Sequence, residues 1–288
     1  MKPAEFDYTR PADLSAVLAL LAEGGDSKIL AGGQSLVPMM NLRLARPERL
    51  IDINRLPGLD HIRLDGDHLV IGALARHASV KDSPLVARHA PLMSAAYEWI
   101  AHDAVRNRGT LCGNLCHADP ASEMPAVMLV CGATLVARSH GAERHIAAAD
   151  FFLGPFTTAL HSDELLTEVH VPVLAAGEGI GFHEVSMRKG DFAWASVAVL
   201  MRCDAGRVAQ VAIAVAGVAG KAMRLPGVEA GLIGAAADAA SFQRAGDAAA
   251  AAVDPPQDTL TPPEYRRDLV RALLPRALAD AATAWRHT

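Results

Sequence analysis

Ile29-Leu30-Ala31-Gly32-Gly33-Gln34-Ser35-Leu36 is the stretch whose reading decides the fold, together with a second like it, Arg108-Gly109-Thr110-Leu111-Cys112-Gly113-Asn114-Leu115. The second runs on into His117-Ala118-Asp119-Pro120-Ala121-Ser122-Glu123. Each joins an apolar run to a helix start and exposes consecutive backbone N–H groups beside residues without bulky side chains. Converging N–H dipoles suit an anion, and glycine lets the backbone approach it closely. Two such loops in one chain point to a diphosphate held from both sides.

Neither loop has the form used by the two common phosphate-binding folds. No G-x-G-x-x-G follows the first strand, and no G-x-x-x-x-G-K-[ST] is present. Working outward, Leu14, Val17, Leu18 and Leu21 fall at helical spacing between Pro11 and Gly24-Gly25, and Lys28 to Ala31 reads as a strand. A short helix from Ser35 to Leu44 and a strand from Arg49 to Ile53 follow. Pro57-Gly58 marks a boundary. Beyond it, His61–Leu64 and His68–Ile71 flank the turn Asp65-Gly66-Asp67 as a hairpin.

Pro91 to His102 reads as helical. Asp119-Pro120 reads as an N-cap with a first-turn proline, its helix ending at Gly132. Strands are expected at Thr134–Ala137, Arg144–Ile146 and Leu165–Val171, then a linker from Pro172 to Gly181. Three more runs, Gly181–Ser186, Ala195–Arg202 and Val208–Val215, precede an alanine-rich helical region from Val228 to Val253. Thr261-Pro262-Pro263-Glu264 reads as a capping box for a last helix with a Tyr265, Leu269, Leu273, Ala277 stripe, kinked at Pro275. Strands and helices mix without strict alternation, so the fold class is α+β rather than a doubly wound parallel sheet.

A chain of 288 residues exceeds one ordinary core and calls for two or three domains. Its net charge of −5 argues against general affinity for nucleic acid or acidic lipid, which needs a concentrated basic surface. The start, Met1-Lys2-Pro3-Ala4-Glu5, lacks the apolar core of a signal peptide, and the longest apolar run, Pro125–Ala137, is too short to span a bilayer. A cytoplasmic protein without membrane insertion is expected. In that compartment Cys112, Cys116, Cys131 and Cys203 read as reduced thiols, and two of them four residues apart do not make a metal site.

Hydrolytic chemistry finds no footing. His102 beside Asp103 cannot orient as a triad requires, and no G-x-S-x-G elbow supplies a nucleophile. His117 and His183 read first as structural residues. Glu123 admits two readings, a carboxylate accepting sugar hydroxyls or a charge favoured by its helix's first turn.

Four pieces in order carry a family likeness: Ala31-Gly32-Gly33-Gln34-Ser35-Leu36; Arg106-Asn107-Arg108-Gly109-Thr110 with Gly113-Asn114; His117-Ala118-Asp119-Pro120 with Glu123; and Arg188-x-Gly190-Asp191-Phe192-Ala193. Glu264-Tyr265-Arg266-Arg267 adds a fifth. With these the chain resembles, almost end to end, the FAD-binding medium subunit of the molybdenum hydroxylases, the xanthine dehydrogenase and aerobic carbon monoxide dehydrogenase type. The resemblance implies a two-subdomain FAD-binding fold of the vanillyl-alcohol oxidase-like (PCMH) type over 1–175, divided as 1–57 and 58–175. A C-terminal α+β domain of the CO dehydrogenase flavoprotein type would cover 176–288.

It also implies the site. Ile29, Leu30, Ala31, Gly32, Gly33, Gln34, Ser35 and Leu36, with Thr110, Leu111, Cys112, Gly113 and Asn114, would hold the FAD diphosphate. Ala101 and His102 would line the cofactor, followed along the chain by His117 and Ala118. Glu123 would meet FAD hydroxyls, Leu165 or Leu166 the adenine or flavin end, and Phe192 the isoalloxazine. Three departures stand out. Cys112 replaces a common glycine, Glu123 a frequent aspartate, and Glu184 a lysine that some members carry near the flavin. No catalytic residue and no metal ligand is expected in this chain.

The function implied is an electron-transfer flavoprotein subunit with non-covalent FAD. A small partner would carry [2Fe-2S] clusters and a large partner the molybdenum-pterin cofactor, in a dimer of heterotrimers that passes electrons to an external acceptor. Two other readings are a self-contained flavin oxidoreductase on the same fold and a non-catalytic dinucleotide-binding regulator. Both require a competent monomer.

Overall fold

A computed structural model describes residues 1–259 and 261–283, so the last five residues of the expected C-terminal domain lie outside the described residues. The chain opens with β1 (Asp7–Thr9), α1 (Leu14–Ala22), β2 (Ser27–Leu30), α2 (Leu36–Asn41) and β3 (Arg49–Asp52). The strands form a parallel sheet in the order β1-β3-β2, with Tyr8 opposite Leu50 and Ile29 opposite Ile51. Asp13 starts α1 by accepting the Ala16 N–H at 2.8 Å, and Val17, Leu18 and Leu21 form its buried face. That is the apolar spacing read from the sequence. The helix expected over 35–44 is trimmed to Leu36–Asn41.

The second body comprises β4 (Ile62–Asp65), β5 (His68–Gly72), α3 (His77–Lys81), α4 (Pro84–His89), α5 (Pro91–Tyr97), α6 (Asp103–Arg106), α7 (Leu111–His117), α8 (Glu123–Cys131), β6 (Thr134–Ser139), β7 (Ala142–Ala147), α9 (Ala148–Phe151), β8 (Phe152–Gly154), β9 (Thr157–Thr158) and β10 (Leu165–Pro172). Its five-stranded antiparallel sheet runs β4-β5-β10-β6-β7. The β4–β5 hairpin pairs Asp65 with His68, as its turn residues predict.

The third body comprises β11 (Glu178–Ser186), β12 (Ala193–Asp204), β13 (Arg207–Ala216), β14 (Met223–Arg224), α10 (Pro226–Leu232), α11 (Ala239–Ala252) and α12 (Pro263–Ala281). Its sheet has two buried faces, and strand alternation divides the residues between two cores. Val197, Val199, Ile213 and Val215 join α11 and α12 in one core, whereas Ile180, Phe182, Ala198 and Ala214 join the core of the first two bodies. Each large aliphatic buried this way contributes about 1.5–3 kcal/mol. The third body is therefore fused to the others through one face of its sheet.

Several expectations need correction. The helix expected from Pro91 to His102 stops at Tyr97, and Ala101 turns the chain at φ +50 before α6. Asp119 does not cap a long helix. Its carboxylate accepts the Ala121 N–H at 2.9 Å to close a turn, and α8 begins at Glu123. The alanine-rich helical region divides into α10 and α11, with a non-helical break over 233–238. The linker shortens to 173–177 because β11 already starts at Glu178. At α12 the cap is Pro262, with no side-chain hydrogen bond, and among the described residues the buried Thr261 hydroxyl has no partner, so the capping box does not form. The buried stripe of α12 keeps the expected Leu273 and Ala277 but starts from Arg266 rather than Tyr265. It widens to take in Val270, Leu274, Leu278 and Ala281, with Leu269 partly buried against the core and Tyr265 exposed.

Candidate functional site

The first glycine loop spans the six-residue step from Leu30 at the end of β2 to Leu36 at the start of α2. Gly33 makes the step possible at φ +72, a conformation that side chains rarely adopt. Among the described residues none accepts a hydrogen bond from the N–H of Gly32, Gly33, Gln34 or Ser35. Gly32, Gly33 and Gln34 line a cavity of about 360 Å³, with Pro38, Asn54 and Arg108 among the other walls. A row of free N–H groups lining a cavity is a suitable cradle for a phosphate anion.

The two glycine loops are in backbone contact. A Cβ on Gly32 would lie 2.5 Å from the Arg108 carbonyl oxygen and 2.6 Å from Gly109 Cα. A polar relay locks the contact. The Tyr8 hydroxyl donates to Asp52, Asn54 Nδ2 donates to Asp52 at 2.7 Å and to the Ala31 carbonyl at 2.8 Å, and Arg76 bridges Asn54 Oδ1 at 2.7 Å to the Arg108 carbonyl at 2.6 Å. Burial works to raise the Asp52 pKa, but the Tyr8 hydroxyl and the N–H groups of Asn54 outweigh it and hold the carboxylate low. Sequence reasoning missed Asp52, Asn54 and Arg76. The usable signal was their place: Asp52 and Asn54 lie where parallel β3 ends, beside the end of β2, and open α/β sheets bind ligands at such strand ends.

In the second loop Thr110 caps α7, its Oγ1 accepting the Gly113 N–H at 3.1 Å, and a Cβ on Gly113 would come within 2.7 Å of that oxygen. Beneath it lies buried His77, also unforeseen. The His77 N–H donates to the Gly109 carbonyl at 2.9 Å, and Nδ1 lies 3.1 Å from the Tyr97 hydroxyl. Burial, with Arg106 nearby, pulls the His77 pKa down to about 4, so the ring is neutral at pH 7. Asn114 is taken up by Ser122, its Nδ2 donating to the hydroxyl at 2.8 Å. This ties α7 to the start of α8.

The remaining site candidates separate into two groups. Leu111, Cys112, Leu165 and Leu166 have buried side chains in the core, and Ala118 is a buried left-handed helix end. Burial raises the Cys112 thiol and pushes Cys116 up to about 12, so both stay protonated and neither is a ready metal ligand. The second group faces the junction with the third body. Gly190, at the turn between β11 and β12, has φ +93, and a Cβ there would lie 2.7 Å from His102 Cε1 and 2.9 Å from the Ala101 carbonyl. Lys189 reaches Glu98 at 3.7 Å.

Next to this turn opens a second cavity of about 400 Å³, walled by Asp119, Phe156, Met187, Phe192, Trp194 and Arg266 among others. Phe192 is 57% exposed at its wall, and His117 stacks on Phe156 with ring centres 5.1 Å apart. Arg266, buried, donates to the Trp194 and Gly217 carbonyls and to Asp258, and so anchors the wall. Glu123 and Glu184 are both buried between the bodies. Burial raises both carboxyls, Asp119 adds to the effect at Glu123, and Glu123 adds to it at Glu184.

Residues 4–174 match the family described as the FAD binding domain in molybdopterin dehydrogenase, and residues 181–281 match the CO dehydrogenase flavoprotein C-terminal domain. The chain is 40% identical to the 6-hydroxypseudooxynicotine dehydrogenase complex subunit alpha of Paenarthrobacter nicotinovorans, over 100% of this chain and 98% of that protein. It is 38% identical to the carbon monoxide dehydrogenase medium chain of Hydrogenophaga pseudoflava, over 98% of each. A solved carbon monoxide dehydrogenase of H. pseudoflava superposes with a TM-score of 0.94 at 40% identity, over 98% of both chains. Quinoline 2-oxidoreductase of Pseudomonas putida 86 gives 0.93 at 34% identity, again over 98% of both.

Proposed function

The chain belongs to the FAD-binding medium subunits of the molybdopterin dehydrogenase family, and we propose that within such a complex it relays electrons from [2Fe-2S] clusters of a small partner to an external acceptor. A large partner with the molybdenum-pterin cofactor oxidises the substrate in this reading, and the assembly is a dimer of heterotrimers. A 6-hydroxypseudooxynicotine dehydrogenase and a carbon monoxide dehydrogenase share this subunit type. Substrate choice accordingly rests with the molybdenum partner.

The observation that carries the reading is the row of unpartnered N–H groups from Gly32 to Ser35, in backbone contact with the second glycine loop and beside Arg108. These residues fit a diphosphate. FAD, when bound, supplies the exchange between one-electron and two-electron transfer. The chain's own part is to bind and orient. The loops at 29–36 and 110–114 hold the diphosphate, Glu123 takes cofactor hydroxyls, and Ala101, His102 and Phe192 border the flavin end. The core leucines Leu111, Leu165 and Leu166, with Cys112 and Ala118, shape the floor from beneath rather than through exposed side chains.

FAD is held without a covalent bond, since no histidine or cysteine stands in a recognisable flavinylation motif. A cytoplasmic place belongs to this reading; among the described residues no helix is long and apolar enough to cross a membrane. The test is purification of the native assembly. Two further chains carrying iron and molybdenum should copurify, and acid should release the yellow cofactor into the supernatant. A competent monomer, or flavin retained on the washed precipitate, would sink the reading.

A further inference from the structure

Just past the first glycine loop the chain makes an apolar hook that stands out from the body. Val37 on α2 is 40% exposed, and Leu42 and Leu44 beyond it are 57% and 72% exposed, with Pro38 exposed as well. The hook is not loose. Arg43 between the two leucines sits at φ +60, a conformation that a bulky side chain rarely adopts. Its N–H donates to the Met40 carbonyl at 2.9 Å, and the Leu44 and Ala45 N–H groups donate to the Met39 carbonyl at 2.8 and 3.3 Å. Arg46 Nε donates to the Arg43 carbonyl at 3.1 Å. These bonds fold 42–45 back on the end of α2 and hold both leucines at fixed places in the solvent. Backbone strain of this kind persists where the surrounding structure enforces it, and it gathers at functional segments.

Single exposed hydrophobes are ordinary on a protein surface, but a rigid group of them rimmed by arginines has the make-up of an interface. Charge narrows the occupant. From Ala31 to Pro47 the only charged side chains are Arg43 and Arg46, in a chain whose net charge is −5. Among the described residues neither arginine forms an ion pair. A second copy of this chain seated on the hook by a two-fold contact would set arginine against arginine, whereas an acidic surface would match. Position narrows it further. Val37 and Pro38 also wall the cavity of about 360 Å³ beside the first glycine loop, so whatever covers the hook lies against the cofactor site. A chain that hands electrons to the cofactor must seat there; a chain that oxidises substrate need not. We propose that Leu42, Arg43 and Leu44, with Val37 and Arg46, are the seat of the small iron–sulfur partner, an apolar contact ringed by acidic side chains of that partner. The inference rests on the assembly proposed above and deepens it.

The experiment is purification of the whole complex carrying Leu44→Asp, the pair Arg43→Glu with Arg46→Glu, or Ile233→Asp, a similarly exposed residue of the third body, as control. Native mass spectrometry and iron per medium chain report which partners stay bound. Leu44→Asp should weaken retention of the small chain about tenfold or more at any salt, as loss of a central apolar contact does. The arginine pair should weaken it about tenfold at low salt and much less near 0.5 M salt, where charges are screened. Thermal midpoints should stay at the parent value, because every altered side chain is exposed. If Leu44→Asp does not fold, the salt dependence of the arginine pair decides alone. Parent-like retention in both variants overturns the proposal, as does equal loss from the Ile233→Asp control. Loss of the molybdenum-bearing chain or of the dimer contact, with the small chain still bound, overturns it too. A parent that brings down no iron-bearing chain overturns the assembly reading itself, and is thereby told apart from a wrongly placed seat.

Discussion

Asn54 accepts a hydrogen bond from Arg76 at 2.7 Å while its own amide donates to the Ala31 carbonyl at 2.8 Å. One side chain thus joins the first glycine loop to the arginine that also grips the Arg108 carbonyl of the second. The spacing of the two loops depends on this link. Asn54→Ala should lower FAD occupancy several-fold, with a stability loss of about 1–3 kcal/mol from the stranded partners. Flavin absorbance per chain and the thermal midpoint measure the two effects. Full occupancy in the alanine variant would show that the loops hold their positions without the link.

Gly32 and Gly33 are needed for different reasons. Gly32→Ala drives a Cβ into the Arg108 carbonyl, which is backbone and cannot swing aside. The loops should separate and FAD occupancy fall. At Gly33 the φ of +72 is the obstacle, and Gly33→Val adds contacts with Leu30 and Val37 at 3.1 and 3.3 Å. That substitution should cost stability as well as flavin. Gly227→Ala, with nothing within 4 Å of the new Cβ, is the control and should behave as the parent. Equal flavin content in all three variants would reduce both loop glycines to turn formers.

The order of elements was legible because apolar period and turn residues agree at α1, at the β4–β5 hairpin and along β11 to β13. The two glycine loops were legible because small residues precede a helix start, after β2 in the first case and after α6 in the second. What sequence could not supply were contacts between distant segments. His77 reads as an ordinary polar residue until Gly109 is seen to rest on it. Thr261-x-x-Glu264 has the letters of a capping box, yet Asp258 accepts the Thr261 N–H at 2.7 Å, and the chain enters the helix at Pro263 with the threonine hydroxyl buried. Glu184 was marked for its charge sign, but its burial depends on which face of β11 meets the FAD-binding body.

His77 gives a pH prediction with a definite sign. Its folded pKa of about 4 lies below the unfolded value of 6.5, so the unfolded chain binds more protons between those limits. The contribution is complete above pH 6.5 and is lost as pH falls toward 4, by about 3 kcal/mol in all. Denaturant midpoints of the purified protein at pH 7, 5.5 and 4.5 should show the fall. His77→Gln should flatten it, and an unchanged slope in that variant would assign the acid sensitivity elsewhere.

Phe192 offers the sharpest test of where the flavin lies. A core phenylalanine truncated to alanine costs about 3–5 kcal/mol, but Phe192 is 57% exposed on the wall of the larger cavity, so Phe192→Ala should hardly change stability. Its ring gains a packing partner only if the isoalloxazine docks there, and aromatic stacking of that kind is worth about 1 kcal/mol. The variant should therefore keep its thermal midpoint, weaken FAD binding about fivefold, and leave the flavin more open to iodide quenching. Rapid mixing with substrate should bleach the partner's iron–sulfur absorbance at the parent rate, while flavin reoxidation by the acceptor changes rate. If quenching and both kinetic phases are unchanged in a fully flavinylated variant, the isoalloxazine does not rest on Phe192, and the cavity beside Trp194 belongs to some other ligand.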